Sequence, residues 1–201
     1  MSLKYELLRK SIHIISTFIP VLYYQTNKEF MLIFIGAGTL FMILIDILKR
    51  YIPFVSRLYR GIFGKILRED ESDFSSTLFT GGTWYALGIF LALLLFSRET
   101  AVASILIMIW SDSFAAIIGR NFGKHKIGNK TLEGSFAFIF IGMVIILIVP
   151  GLTVTKPALI CASSAVILTA VFELLPLRVN DNLTLPLFFG FTFNFLLKLT
   201  I

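Results

Sequence analysis

Charge is scarce in this chain. Asp, Glu, Lys and Arg make up 15% of the 201 residues, while 57% are hydrophobic and the mean hydropathy is +0.87; soluble domains carry about 25% charged residues. Disorder requires the opposite balance, and an ordinary cytosolic enzyme of this size could not hide so much apolar surface. Cysteine is nearly absent as well. Cys161 stands alone, which excludes a disulfide scaffold, and because it lies inside an apolar stretch it says little about redox compartment. There is no internal repeat and no GxxxxGK[ST] phosphate loop.

Long apolar stretches fill the chain instead, near residues 7–25, 29–48, 76–96, 101–119, 134–151, 157–176 and 183–201. Each approaches the ~20 residues a helix needs to cross the hydrocarbon layer. Together they leave about a third of the 201 residues, too few for a separate soluble domain. The expectation is an all-α, polytopic bundle of about seven spans forming one membrane-embedded domain over residues 1–201, with its chemistry done by helix ends and short loops.

Basic residues orient it. Short loops rich in Lys and Arg stay cytoplasmic. The N-terminus (Lys4, Arg9, Lys10), the segment 49–73, the segment 120–133 and Arg178 fall on one side with fourteen bases, against four (Lys28, Arg98, Lys156, Lys198) on the other. This predicts the N-terminus inside and the C-terminus outside. A cleaved signal peptide is the competing reading of residues 1–25, but His13 breaks the apolar run and no small-x-small site follows before Lys28. The net charge of +6 mainly reflects this orientation, although anionic lipid or a phosphate-bearing substrate would also favour it; no nucleic-acid partner is expected.

Segment 49–73 has its own pattern. Ile52, Phe54, Val55, Leu58, Tyr59, Ile62, Phe63, Ile66 and Leu67 recur at spacings of three and four, interleaved with Arg57, Arg60, Lys65 and Arg68. That is an amphipathic helix at the cytoplasmic interface, started near Pro53 and ended by Glu69, Asp70, Glu71 and Asp73. It reads as a surface anchor, with a lid over a lipid substrate as the alternative.

Ionisable groups inside spans are costly and mark function. Asp46, Asp112 and Glu173 each lie toward the cytoplasmic end of a different apolar stretch, whereas the outer loops hold only Glu29 and Glu99. One shared polar pocket is predicted. On the first helix Glu6, Arg9, Lys10 and His13 fall on a single stripe; the plainer reading is a Glu6–Lys10 surface pair.

The segment from Ser111 to Gly134 is the richest. Small residues at 111, 113, 115, 116 and 119 permit close helix packing, and Gly119, Gly123 and Gly128 loosen the chain into a turn. Arg120, Lys124, His125, Lys126 and Lys130 follow as cationic donors. Thr131 is a candidate N-cap for a helix whose first N–H groups favour an anion, with Glu133 and Gly134 in its first turn. Asp112 beside these groups is what a triphosphate with magnesium needs. Farther on, Asn180, Asp181 and Asn182 follow Glu173 as short oxygen donors that could complete a magnesium site, or simply form a turn. The small and hydroxyl residues of segment 75–88 serve a lipid headgroup or helix packing equally well.

In this order, Glu6-x-x-Arg9-Lys10-x-x-His13, Gly81-Gly82-Thr83, Asp112-Ser113 through Gly119-Arg120-x-x-Gly123-Lys124, Lys130-Thr131-x-Glu133-Gly134, and Glu173 with Asn180-Asp181-Asn182-Leu183-Thr184-x-Pro186 resemble the dolichol kinase, phytol kinase and CTP-dependent diacylglycerol kinase family, and more distantly the phosphatidate cytidylyltransferases. The resemblance implies an integral membrane kinase that moves the terminal phosphate of CTP, or another nucleoside triphosphate, onto a lipid alcohol with Mg2+ or another divalent cation. It makes residues 120–134 the nucleotide-binding loop and Asp112 an essential acid beside it.

The mechanism expected on this basis has Mg2+ held by Asp112 with Asp181 or Glu173, and Arg120, Lys124, Lys126 and Lys130 neutralising phosphate charge. Glu173, Asp181 and His13 are the candidate bases. Two departures stand out. Dolichol kinases of eukaryotes have many more spans, so this compact chain points to a prokaryotic cell membrane. The cytidylyltransferases carry a fuller lysine run before Thr-x-Glu-Gly, which favours kinase over nucleotidyl transfer. The alternatives are a CTP-dependent nucleotidyltransferase making a CDP-activated lipid and a transporter or flippase for an anionic solute.

Overall fold

The computed structural model describes residues 3–65, 67, 71, 73, 74, 78–176 and 179–200. Ile66, Arg68, Glu69, Asp70 and Arg178, named above, and residues 75–77 of segment 75–88 lie outside the described residues.

The first apolar run is two helices, α1 (Leu3–Ile15) and α2 (Phe18–Gln25). Pro20 explains the break: it has no N–H for the Ser16 carbonyl, which accepts from Ile19 N at 2.9 Å instead. Helix α3 (Lys28–Tyr51) starts at Asn27, whose side chain accepts from Phe30 N at 2.8 Å. Ile52 breaks the chain into α4 (Pro53–Phe63), with proline at the start where its missing N–H costs nothing. This is the amphipathic helix the spacing predicts, except that it ends at Phe63 with Gly64 as its C-cap, before the acidic residues expected to end it: Phe54, Leu58 and Ile62 are exposed apolar residues, and Tyr59 is buried against the body.

Helix α5 (Gly81–Leu95) leads through a Ser97 cap into α6 (Arg98–Phe122). Inside α6 the residues Ile107–Ser111 form a π-helical turn, a feature often met near functional sites, and Asp112 opens the α-helical half that follows. A short antiparallel ladder comes next, pairing Lys126 with Thr131 and Ile127 with Lys130 around Gly128 at φ +58°. This hairpin is the one departure from an all-helical chain among the described residues. Thr131 then caps α7 (Leu132–Ile148), its hydroxyl accepting from Gly134 N at 3.1 Å. Helices α8 (Lys156–Glu173) and α9 (Asp181–Lys198) complete the bundle.

Helix α6 is the axis. In its most apolar stretch 67% of residues are buried, against 22% in α3, which lies at the rim. Ile105, Ile107, Met108 and Ile109 of α6 are fully buried with Phe138 and Ile146 of α7 and Phe189 of α9. Pro186 inside α9 frees the Asn182 carbonyl, and Gly88 of α5 makes room for it: a Cβ there would stand 2.2 Å from that oxygen. Among the described residues α3, α6 and α8 are long and apolar enough to cross a membrane, and α5 and α7 are shorter apolar helices. The molecule is thus an all-α membrane protein. At one end of the bundle Lys28 donates to the Leu94 and Phe96 carbonyls and Arg98 to that of Thr26. The ionisable groups from different helices meet at the other end.

Candidate active site

Three carboxylates from three helices converge. Asp112 stands just past the π turn of α6, Glu173 ends α8 and Asp181 begins α9; one oxygen from each lies within 4.8 Å of the others. Such crowding of negative charge needs cations, and two lysines supply them. Lys130, on the second hairpin strand, reaches Glu173 Oε1 at 2.6 Å and Asp181 Oδ2 at 2.9 Å. Lys10 of α1 pairs with Asp112 Oδ2. Burial alone pulls the Lys130 pKa down, but the Asp181 and Glu173 carboxylates outweigh it and hold the ammonium above the ordinary lysine value.

These groups line a cleft of about 230 Å³ whose rim adds Glu6, Arg120 and Thr131. Glu6 is held by Arg9 at 2.6 Å and approached by Arg120 at 3.4 Å. Close backbone approach shapes one wall. The hairpin and the start of α7 lie against α6 so tightly that a Cβ at Gly119 would stand 2.8 Å from Thr131 Oγ1, and one at Gly134 2.8 Å from the Ala115 carbonyl. Gly123 ends α6 and turns the chain into the hairpin. There His125 pairs with Glu133 at 2.8 Å and its backbone N–H also donates to that carboxylate, while Lys124 and Lys126 are exposed and do not line the cleft.

The sequence expectations divide here. Asp112, Glu173, Asp181, Lys130, Arg120, Thr131 and Gly134 line the same cleft. Asp46 does not join them. It is buried between α3 and α5, accepting from Thr80 N at 2.7 Å and from Thr83 Oγ1 and Lys49 Nζ at 2.6 Å each, a set of donors that satisfies the carboxylate locally. Asn180 and Asn182, expected as further oxygen ligands for magnesium, are engaged elsewhere. The Asn180 side chain caps α9 by accepting from Asn182 N at 3.0 Å, and the Asn182 amide donates to the Gly81 carbonyl at 3.1 Å. The Glu6–Lys10 surface pair is replaced, because α1 packs its stripe inward: Lys10 turns to Asp112 and Glu6 to the two arginines. His13 is not one of the three-acid group; it is buried and stacked on Tyr85 with ring centroids 4.3 Å apart.

Some polar groups carry no sequence signal beyond their charge, or none. Lys49 counted toward orientation, yet it is 2% exposed and stands 4.6 Å from the centres of both the Tyr59 and Phe74 rings. Glu71, read as a helix terminator, accepts from Gly81 N at 2.8 Å. Asn129 and Ser135 line the cleft, and no charge or spacing marked them.

No family model matches the sequence, and no solved structure matches the fold. Characterised relatives do exist. The chain is 31% identical over 172 residues to the CTP-dependent diacylglycerol kinase 1 of Schizosaccharomyces pombe, a match covering 82% of this chain and 76% of that protein. It is 30% identical over 185 residues to an uncharacterised protein of Rickettsia prowazekii, covering 91% and 90%. It is also 30% identical over 147 residues to a dolichol kinase of S. pombe, covering 63% of this chain and 28% of that longer protein.

Proposed function

The chain belongs to the family of CTP-dependent diacylglycerol kinases and dolichol kinases, and on that premise we propose that it is an integral membrane lipid kinase transferring the γ-phosphoryl group of CTP to the hydroxyl of a lipid alcohol at the inner face of a prokaryotic cell membrane. The observation that carries the reading is the meeting of Asp112, Glu173 and Asp181 within 4.8 Å, beside the basic hairpin and the N-terminus of α7.

Three carboxylate oxygens that already require two ammonium groups for balance suit a hard divalent cation such as Mg2+. Asp112, Glu173 and Asp181 would hold it, and when bound it offsets triphosphate charge. The rest falls to the chain. Arg120, Lys124, Lys126 and the N–H groups at the start of α7 face the phosphates, and Lys10 and Lys130 keep the carboxylates aligned. Phosphoryl transfer asks mainly for positioning and charge stabilisation. The lipid hydroxyl oxygen bonds to the γ-phosphorus, the bond from that phosphorus to the β–γ bridging oxygen breaks, and CDP leaves with the electron pair. The hydroxyl proton passes to one of the site carboxylates. In this reading α1–α2, α3, α5, α6, α7, α8 and α9 are the seven spans of one domain, and α4 lies on the cytoplasmic surface.

Labelled CTP with a panel of lipid alcohols tests it. Label from the γ position is expected in the lipid, with CDP released. Label from the α position, with pyrophosphate released, would mean nucleotidyl transfer instead. Transport is disfavoured because the acids and bases gather at one end rather than at the midplane.

A further inference from the structure

Across α1 from the polar cleft is a second cavity of about 350 Å³, walled by Phe41, Met42 and Ile45 of α3 and by Leu58 and Ile62 of α4. Its volume falls within the range of small-molecule sites, about 300–1,000 Å³. The lining is apolar except at one place, where Arg9, His13, Glu71 and Thr80 reach it. Arg9 is buried, and although its Nη2 is held by Glu6, its Nε–H has no hydrogen-bond acceptor among the described residues. Buried donors are rarely left so. The same Glu6 carboxylate is approached by Arg120 from the cleft side, so Arg9 joins the two chambers through one shared anion.

The cavity continues. A more open apolar space shares Phe41 and Met42 with it and follows α3 back to Phe30, against Ile19 of α2 and Ile89 of α5. At 1.5 Å rise per residue the path from Ile45 to Phe30 is about 22 Å, most of a hydrocarbon layer of about 30 Å. It opens sideways: Phe34 and Phe41 on α3 are 47% and 61% exposed, on a helix apolar enough to cross a membrane. At that depth the adjoining medium is lipid hydrocarbon. The interfacial end is covered by α4, pinned through Tyr59, whose hydroxyl shares a hydrogen bond with Thr80 Oγ1 at 3.3 Å.

We propose that this groove, between α1–α2 and α3 with α5 as its floor, is the acceptor site: one hydrocarbon chain of the lipid alcohol lies along α3, and its hydroxyl oxygen accepts from Arg9 Nε–H at the border with the polar cleft. The proposal rests on the lipid-kinase reading and adds the place and the specificity residue. A chain entering from the bilayer needs no exposure to water, and its reacting oxygen arrives where Glu6 and Arg9 connect to the phosphate side.

Two measurements on the full chain in lipid nanodiscs test it. In the first, a long-chain alcohol with a mid-chain diazirine is photolysed without nucleotide. Labelling is expected on residues 30–45 and on α4, and to be suppressed by excess unlabelled alcohol; labelling confined to α7, α8 or α9 overturns the proposal. In the second, Ile45→Trp fills the groove from α3, at a residue that does not line the polar cleft. A tenfold or greater rise in KM for the lipid with KM for CTP within twofold is expected, and an unchanged lipid KM overturns the proposal. Should the tryptophan variant fail to fold, Met42→Phe applies the same test more mildly and the photolabelling result stands by itself. A wild-type chain that phosphorylates no lipid alcohol would sink the kinase reading, whereas labelling of the groove is independent of turnover.

Discussion

Lys130 illustrates how much one side chain holds at this site. Its ammonium is the only one among the described residues that bridges Glu173 and Asp181, so Lys130→Met leaves two carboxylates facing each other. Removing one partner of a partly buried charge cluster is expected to cost about 1–3 kcal/mol, read as a lowered unfolding temperature in detergent. A divalent cation can replace the lost charge, so added magnesium should raise that temperature more in the variant than in the wild type; an equal response in both would argue against a cation site there. Asp112→Asn is the complementary test. Turnover per folded molecule should fall at least a hundredfold because the amide contributes no charge to the site, and the unfolding temperature should fall as well, because the buried Lys10 ammonium loses its carboxylate.

Among the helices, Asp46 separates architecture from chemistry. It ties α3 to the start of α5 and neutralises Lys49. Asp46→Asn replaces one acceptor oxygen by a donor and strands a buried ammonium, an expected loss of about 3–5 kcal/mol. The remaining folded fraction should show a CTP KM within twofold of the wild type. Gly119→Val acts in the opposite way. Its Cβ would stand 2.8 Å from Thr131 Oγ1, forcing the hairpin and the first turn of α7 away from α6. A CTP KM raised at least tenfold in the folded fraction is expected from steady-state kinetics, beside an overpacking cost of about 1–3 kcal/mol in stability.

Much of this element level was legible in the residues. Pro53 and the three-and-four spacing announced α4, and Thr131 announced its cap, because both signals are local. The break between α1 and α2 follows from Pro20 but was absorbed into one apolar run, since composition averages over a kink. The hairpin at Lys126–Thr131 escaped notice because two-residue strands have no period to detect.

For the whole molecule, the proposed orientation makes a prediction of its own. In a Cys161→Ala background, Lys124→Cys should react with a membrane-impermeant maleimide only when the cytoplasmic face is opened, and Lys156→Cys in intact cells. The reverse pattern would place the candidate site outside, away from cytoplasmic CTP.

Composition was sufficient to require a helical membrane protein, since so many apolar residues leave no soluble alternative, and scattered acids in apolar stretches pointed to a polar cluster at one end, since burying a charge in lipid is too expensive without a partner. Partner choice was another matter. Asp46, Asp112 and Glu173 look alike along the chain, as do Lys10 and Lys49, and no local rule says which acid meets which base. Packing of α9 against both α6 and α8 put Asp112, Glu173 and Asp181 together, packing of α1 against α6 brought Lys10 to Asp112, and Asp46 was left with Lys49, because charges in a low-dielectric interior pair with whatever the crossing helices bring within a few ångströms.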